Sequence, residues 1–378
     1  MDKVVIGKNA KRIRLDRQLT QKAVAEKAGT SLLTYQKLES GQSIPRTDTL
    51  YDIAQGLGVG VQELLSPVRE LRAVRFRAHK RLKKRDPILA RASRWLEDFN
   101  YLIEIEKSGA EYTLAGIPGQ AVDISEQRRP IEVARLARER LGLSQKEPIF
   151  DITGLLASGG VKILTYPVAS DGFFGLSIAE SDGGPAVVVN VWDRIAVERW
   201  IFSTAHELGH LLLHLDAFDV DVLDEDDKQE AEANVFASHF LMPKLGFDEE
   251  WGETLGLPFW QRVLKVKRIF RVSDKTVLYR LIERGQANDR IWQARNQYLK
   301  RHFKGARIPS RFEPEPLQPS DFVTDWLDRL VRIAVERELI SLGRAAEILD
   351  IPLMEIRHRA ASWTEEAGAN RADATVHS

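Results

Sequence analysis

The chain has no cysteine among its 378 residues, so it forms neither a disulfide framework nor a thiolate, a composition that suits a reducing cytoplasm. It has no run of about eighteen apolar residues and no signal-peptide pattern, so the expectation is a soluble, intracellular protein with no membrane partner. It also has no net charge: 55 Lys and Arg are matched by 55 Asp and Glu, and no overall field announces a partner. The balance is uneven along the chain, however. Residues 1–85 carry 19 basic side chains against 8 acidic ones, whereas residues 216–232 carry nine acidic residues and one lysine. A chain of this length has room for two or three domains.

Histidine is scarce, eight in all, yet four fall between Arg199 and Pro243. On a helix, positions i and i+4 project from one face. His206 and His210, in His206-Glu207-Leu208-Gly209-His210, can therefore turn both imidazoles toward one metal ion. Glu207 sits where its carboxylate can take a proton from an attacking water. Such a motif arises by chance roughly once in a hundred chains of this size and histidine content, and two histidines on an apolar helix can also be core residues. A catalytic metal needs a third protein donor and one open position. Glu230, Ala233, Asn234 and Ala237 follow i, i+3, i+4 and i+7, so they share one face of a second helix. Glu230 is the natural third ligand and Asn234, one turn later, a partner that holds a ligand in place. Glu232 points roughly the other way and is the second choice. His214 reads as a helix-end residue, and His239 lies off the Glu230 face.

The run R-x-x-F-S-T-A-H-E-L-G-H, followed by E-x-E-A-N-x-F-A-x-x-x-L-M-P, resembles the ImmA/IrrE family of bacterial zinc metallopeptidases. The resemblance implies a zincin-like fold and, as in known members, cleavage of helix-turn-helix repressor proteins. It implies Zn2+ held by His206, His210 and Glu230, with Glu207 as the general base.

The first sixty-odd residues read as five short helices. Ile6–Arg17 is basic and amphipathic, Thr20 caps Lys22–Ala28, Gly29 turns the chain, and Ser31 caps a helix that runs to Leu38. Thr49–Leu57 and Val61–Leu65 complete a bundle around Ile13, Val24, Ala25, Leu38, Leu50, Ile53 and Leu57. Helix, glycine turn, helix is the geometry in which the second helix enters the major groove. The pattern I-G-x-x-A-K-R-I-R, L-T-Q-x-x-V-A-x-x-A-G-T-S, Y-x-K-L-E-S-G-x-x-x-P resembles the Xre/lambda-repressor family over residues 6–65. The resemblance places Gln21 where it can contact phosphate or base, Ser31 near phosphate, and Leu32, Leu33, Thr34 and Lys37 at groove-facing positions. It also pairs Arg14 with Glu39. Leu32 and Leu33 suit thymine methyl groups or, in the other reading, a protein contact.

Between these regions, Leu71, Val74, Ala78 and Leu82 stand at helical spacing in the basic run Val68–Lys84, which reads as a helix able to extend phosphate contacts. Ile88–Ile105 reads as a longer helix between the domains or at a dimer contact. The peptidase part begins near Pro130 with helices at Ile131–Leu141 and Ile149–Ala157. Strands follow at Val161–Leu164, Gly172–Ile178 and Ala186–Asn190, offering an edge to an extended peptide. The acidic stretch Asp216–Asp227 reads as a solvated loop, a lid, or a mask over the basic N-terminal region. Past Pro243 the chain reads as helical, with a proline-rich boundary at 306–320.

The expected fold class is α+β, mainly α, with a lambda-repressor-like bundle, a zincin-like domain with a small β-sheet, and C-terminal helices. The expected divisions are a helix-turn-helix domain at 1–67, a basic helical connector at 68–125 and a metallopeptidase core at 126–245. A helical extension at 246–305, a helical unit at 306–363 and a disordered tail at 364–378 follow. The expected function is a transcriptional regulator that binds a double-stranded DNA operator, possesses a zinc-dependent endopeptidase, and cleaves a repressor or antitoxin in a stress, prophage or toxin–antitoxin circuit. A homodimer suits a pseudo-palindromic operator. The alternative is a regulator whose peptidase-like domain senses a signal with little turnover.

Overall fold

The computed structural model describes residues 2–65, 70–78, 85–120, 124–221, 226–304 and 312–363. The tail at 364–378 lies outside the described residues, as do 79–84 of the basic run, 222–225 of the acidic stretch and 306–311 of the proline-rich boundary. The chain divides into two compact units, Met1–Arg72 with Arg81–Tyr101, and Ala73–Lys80 with Leu102–Ser378.

The first unit is helical. Helices α1 (Lys3–Asp16), α2 (Gln21–Lys27), α3 (Leu32–Glu39), α4 (Thr47–Leu57) and α5 (Val61–Leu65) begin where the sequence supplies a cap or a turn ends. Asp2 Oδ1 accepts from Val4 N at 2.8 Å, and the Thr20 and Ser31 hydroxyls each accept from the N–H three residues on at 3.1 Å. These contacts satisfy N–H groups that a helix start leaves orphaned. Gly29 turns α2 into α3 with φ 60°. Ile6, Ala10, Ile13, Val24, Tyr35, Leu38, Leu50, Ile53 and Leu57 close the core. Arg14 grips Glu39 through two bonds of 2.8 Å, binding α1 to the end of α3.

In the second unit, Val74–Ala78, expected within a basic helix, is strand β1. The helical spacing of Leu71, Val74, Ala78 and Leu82 coexists with a period of two in Val74-Arg75-Phe76, and pairing with a distant strand selects the latter. After it come α6 (Arg85–Glu106), shared between the units, then α7 (Ile117–Gln120), α8 (Arg129–Arg140) and α9 (Ile152–Ser158). Strands β2 (Lys162–Tyr166), β3 (Phe173–Ile178) and β4 (Ala186–Asn190) join β1 in one sheet of order β1-β3-β4-β2. β1 runs antiparallel to β3, β3 antiparallel to β4, and β2 parallel to β4. Every residue of β4 is buried, as a strand covered on both faces requires.

Helix α10 (Val197–Leu213) lies against this sheet and is buried around almost its whole circumference. Helix α11 (Asp227–Leu241) packs along it, and α8 covers α11. Gly209 permits this approach, because a Cβ there would stand 2.9 Å from the Phe236 ring of α11. Two buried arginines take up carbonyls at the end of α11: Arg138 donates to Phe240 O at 2.6 Å, and Arg280 to Ser238 O and Met242 O at 3.1 and 2.9 Å. Helices α12 (Lys244–Glu253), α13 (Phe259–Phe270), α14 (Asp274–Glu283) and α15 (Arg290–His302) extend the core. Lys267 of α13 reaches Glu198 at the head of α10 (2.8 Å) and Glu313 (3.1 Å). Two buried carboxylates thus share one ammonium, and burial pushes Glu313 up to about 7. Helices α16 (Trp326–Glu336), α17 (Leu342–Leu349) and α18 (353–363) end the described chain.

Candidate metal centre and nucleic-acid interface

The site is assembled where α10, α11 and β3 meet. His206 and His210 stand one turn apart on the buried α10, with their Nε2 atoms 3.0 Å from each other. Glu230, in the first turn of α11, places Oε2 3.4 Å from His206 Nε2 and Oε1 3.4 Å from His210 Nε2. These three residues, all buried, present donor atoms within 4.8 Å of one another and can hold a metal ion.

The surrounding hydrogen bonds decide which ring nitrogen offers a lone pair. Asn234 Oδ1 lies 3.0 Å from His206 Nδ1 and only accepts, so that nitrogen carries the hydrogen and His206 Nε2 the lone pair. On the other side, Glu232 Oε2 is 2.9 Å from His214 Nε2, which therefore donates. Burial, before any other influence, holds the His214 pKa below the ordinary imidazole value, so the ring is neutral and its Nδ1 accepts. His210 Nδ1, 2.9 Å from that atom, is then the donor, and His210 Nε2 is left with the lone pair. Two lone pairs and a carboxylate converge on one buried point. A cation satisfies that arrangement, and neutral packing does not.

Glu207 is turned the other way, toward β3. Ser177 Oγ donates to Glu207 Oε2 at 2.5 Å and lies 3.1 Å from the Glu207 carbonyl. Gly175, two residues earlier on the same face, leaves room for this carboxylate: a Cβ there would stand 2.9 Å from Glu207 Cγ. From β1, Arg75 reaches Gln229 Oε1 at 2.5 Å and Glu230 Oε1 at 3.4 Å. A cavity of about 750 Å3 opens beside Asn234, lined among others by Phe174, Arg199, Phe202, Val235 and Tyr279.

The structure thus brings together His206, His210 and Glu230, with Asn234 on the first histidine, while the Glu207 carboxylate lies against Ser177 and Gly175 of β3. Glu232, the second choice as a ligand, bonds His214 instead. His214 is more than a helix end, since it links Glu232 to His210, and the i, i+4 step from His210 is the signal that could have found it. Ser177 and Arg75 carry no such signal, because they arrive through strand pairing. His239 stands apart, paired with Glu283 at 2.9 Å.

In the first unit, Ser31, Leu32, Leu33, Thr34 and Lys37 are all exposed on one end and flank of α3. Gln21 is half-buried: its Nε2 donates to Glu39 Oε1 at 3.1 Å, and its Oε1 accepts from Gln36 at 3.3 Å. Leu33 is 60 % exposed and lies outside the domain's core.

Comparison with known proteins agrees with both regions. Residues 11–64 match the helix-turn-helix family, and residues 171–282 match a peptidase family described as the IrrE N-terminal-like domain. An uncharacterized HTH-type transcriptional regulator of Sinorhizobium fredii, y4dJ, is 39 % identical over 66 residues, 18 % of this chain and 86 % of that protein. Among solved structures, PlcR of Bacillus thuringiensis in complex with the peptide PapR7 and DNA aligns over 99 % of this chain and 98 % of its own. Its identity is 12 % and its TM-score 0.17. ComR from S. thermophilus aligns over 92 % and 99 % with 13 % identity and a TM-score of 0.16. Scores that low say nothing about this chain's fold or ligands. No helix among the described residues is long and apolar enough to cross a membrane.

Proposed function

Starting from a chain that belongs to the HTH-type transcriptional regulators and also contains an IrrE-like domain, we propose a DNA-binding regulator with a zinc-dependent endopeptidase that cleaves a repressor or antitoxin protein. The observation that carries this reading is the convergence of two imidazole lone pairs and the Glu230 carboxylate; Glu207 follows His206 in the chain, and Ser177 holds its carboxylate separately. A zinc ion there would acidify a water and polarise the scissile carbonyl.

The chain's own residues supply the rest. Glu207 accepts the proton of the attacking water and passes it to the leaving amine, while Ser177 fixes the rotamer of that carboxylate. Asn234, and His214 backed by Glu232, hold the two imidazoles in the tautomer that leaves Nε2 basic. The cavity beside Asn234 gives an apolar substrate side chain a place to lie. On the other unit, Ser31, Thr34 and Lys37 approach phosphates and base edges, Gln21 the backbone, and Leu32 and Leu33 thymine methyl groups, on an operator bound by a homodimer. The setting is a stress, prophage or toxin–antitoxin circuit.

The test incubates zinc-loaded full-length protein with helix-turn-helix repressors and follows their cleavage. Glu207→Gln should bind zinc as the parent does and cleave about a hundred- to ten-thousandfold more slowly. Equal rates for the two proteins would overturn the peptidase reading.

A further inference from the structure

β3 is the strand that lines the candidate site: Gly175 and Ser177 both lie against Glu207. The edge of β3 away from β4 is where an extended peptide would pair with its backbone beside that carboxylate. That edge is taken by β1. Its register, Val74↔Ile178, Arg75↔Ser177 and Phe76↔Leu176, is antiparallel. Arg75 lies opposite Ser177, and its guanidinium reaches Gln229 and Glu230. Phe76 stacks on Phe173 with ring centroids 5.4 Å apart, and Val74 is fully buried. The entry to the strand is fastened as well, since Ala73 N donates to Asp182 Oδ2 at 2.6 Å and Ala179 N to Ala73 O at 3.0 Å. β1 comes from the connector that follows the helix-turn-helix, far upstream of the other three strands.

We propose that the edge of β3 away from β4 is the docking edge for the substrate's extended segment and that β1 is its resident occupant. Protein substrates enter only when Val74–Ala78 leaves, and the segment they insert presents the same order of side chains: apolar, arginine, aromatic. The docking follows from the sheet alone. What happens to the docked peptide rests on the peptidase reading above.

The chain has no cysteine, so a crosslink can be placed cleanly. Val74→Cys with Ile178→Cys puts two thiols on directly opposed positions of β1 and β3. The probe is a fluorescent peptide with the sequence of residues 71–78, and binding is read by anisotropy on metal-free, full-length protein. Phe76→Asp, which weakens β1, should bind the peptide at least about tenfold more tightly than wild type, and the oxidised double variant more weakly than its reduced form. A peptide with glutamate in place of the arginine should lose that gain. Equal affinity for oxidised and reduced forms, or no gain in a folded Phe76→Asp, would overturn the proposal. Those binding results stand apart from turnover. Peptide capture by Phe76→Asp without hydrolysis by any form supports β1 as occupant and sinks the peptidase reading. Glu207-dependent cleavage by a crosslinked protein does the reverse.

Discussion

In the helix-turn-helix, the residues that shape the exposed face lie between Thr20 and Gly41, and each cap, turn and contact residue is a near neighbour in sequence of the next. The candidate metal centre draws instead on Arg75, Ser177, helix α10 and helix α11, segments that meet only when the sheet and the helices have packed. The first region depends on local hydrogen bonds and a small core, the second on long-range packing that holds buried polar groups in fixed orientations. A change in one should leave the other standing, and the following measurements test that separation.

The largest effects fall on buried charge. Arg280→Met removes the donor to the Ser238 and Met242 carbonyls at the end of α11 and should cost the second unit roughly 3 kcal/mol, seen as a lower melting transition and weaker metal retention. Operator binding by the first unit should not change. Arg14→Met is the mirror experiment. It leaves Glu39, whose side chain is 6 % exposed, without its ion-pair partner and should cost roughly 3 kcal/mol in the first unit alone, abolishing DNA binding while zinc content holds.

A comparable effect follows from pH. Glu313 has its folded pKa raised from 4.5 to about 7 by burial. Between those values the folded protein keeps a proton that the unfolded chain has lost, so stability falls as pH rises through this window and levels off above it. The full shift corresponds to at most roughly 3.5 kcal/mol at about 1.4 kcal/mol per unit. Glu313→Gln should flatten the dependence, as followed by urea unfolding between pH 4.5 and 7. A smaller effect is expected of His214→Ala, which frees the far side of His210 and should weaken zinc binding by about ten- to a hundredfold, measured by competition with a chromophoric chelator. Smallest is Lys37→Ala, which should weaken operator binding and lower the slope of log K against log salt by roughly one if the ammonium meets a phosphate.

The same contrast governs which features are legible in the sequence. Thr20, Gly29, Ser31 and Gly41 announce caps and turns because the backbone groups they satisfy lie within three residues. His206, His210, Glu230 and Asn234 were legible as pairs spaced by four on two helices, a spacing that fixes their common face but not their distance. The outer layer was less accessible. His210–His214 repeats the spacing of His206–His210, yet Glu232 as its partner depends on how α11 lies along α10. Val74-Arg75-Phe76 fits a strand and a helix equally well until β3 is present to pair with it. Ser177 is an ordinary strand residue in sequence, and only the packing of β3 on α10 sets it against Glu207.

Whether His206, His210 and Glu230 jointly grip one divalent ion is decided by zinc content, measured by elemental analysis. After loading and exhaustive dialysis, the wild-type chain should retain about one zinc per molecule, and His210→Ala and Glu230→Ala should retain almost none while staying folded. A wild-type chain that holds no zinc after loading, or folded variants that hold as much as the parent, would contradict that joint grip.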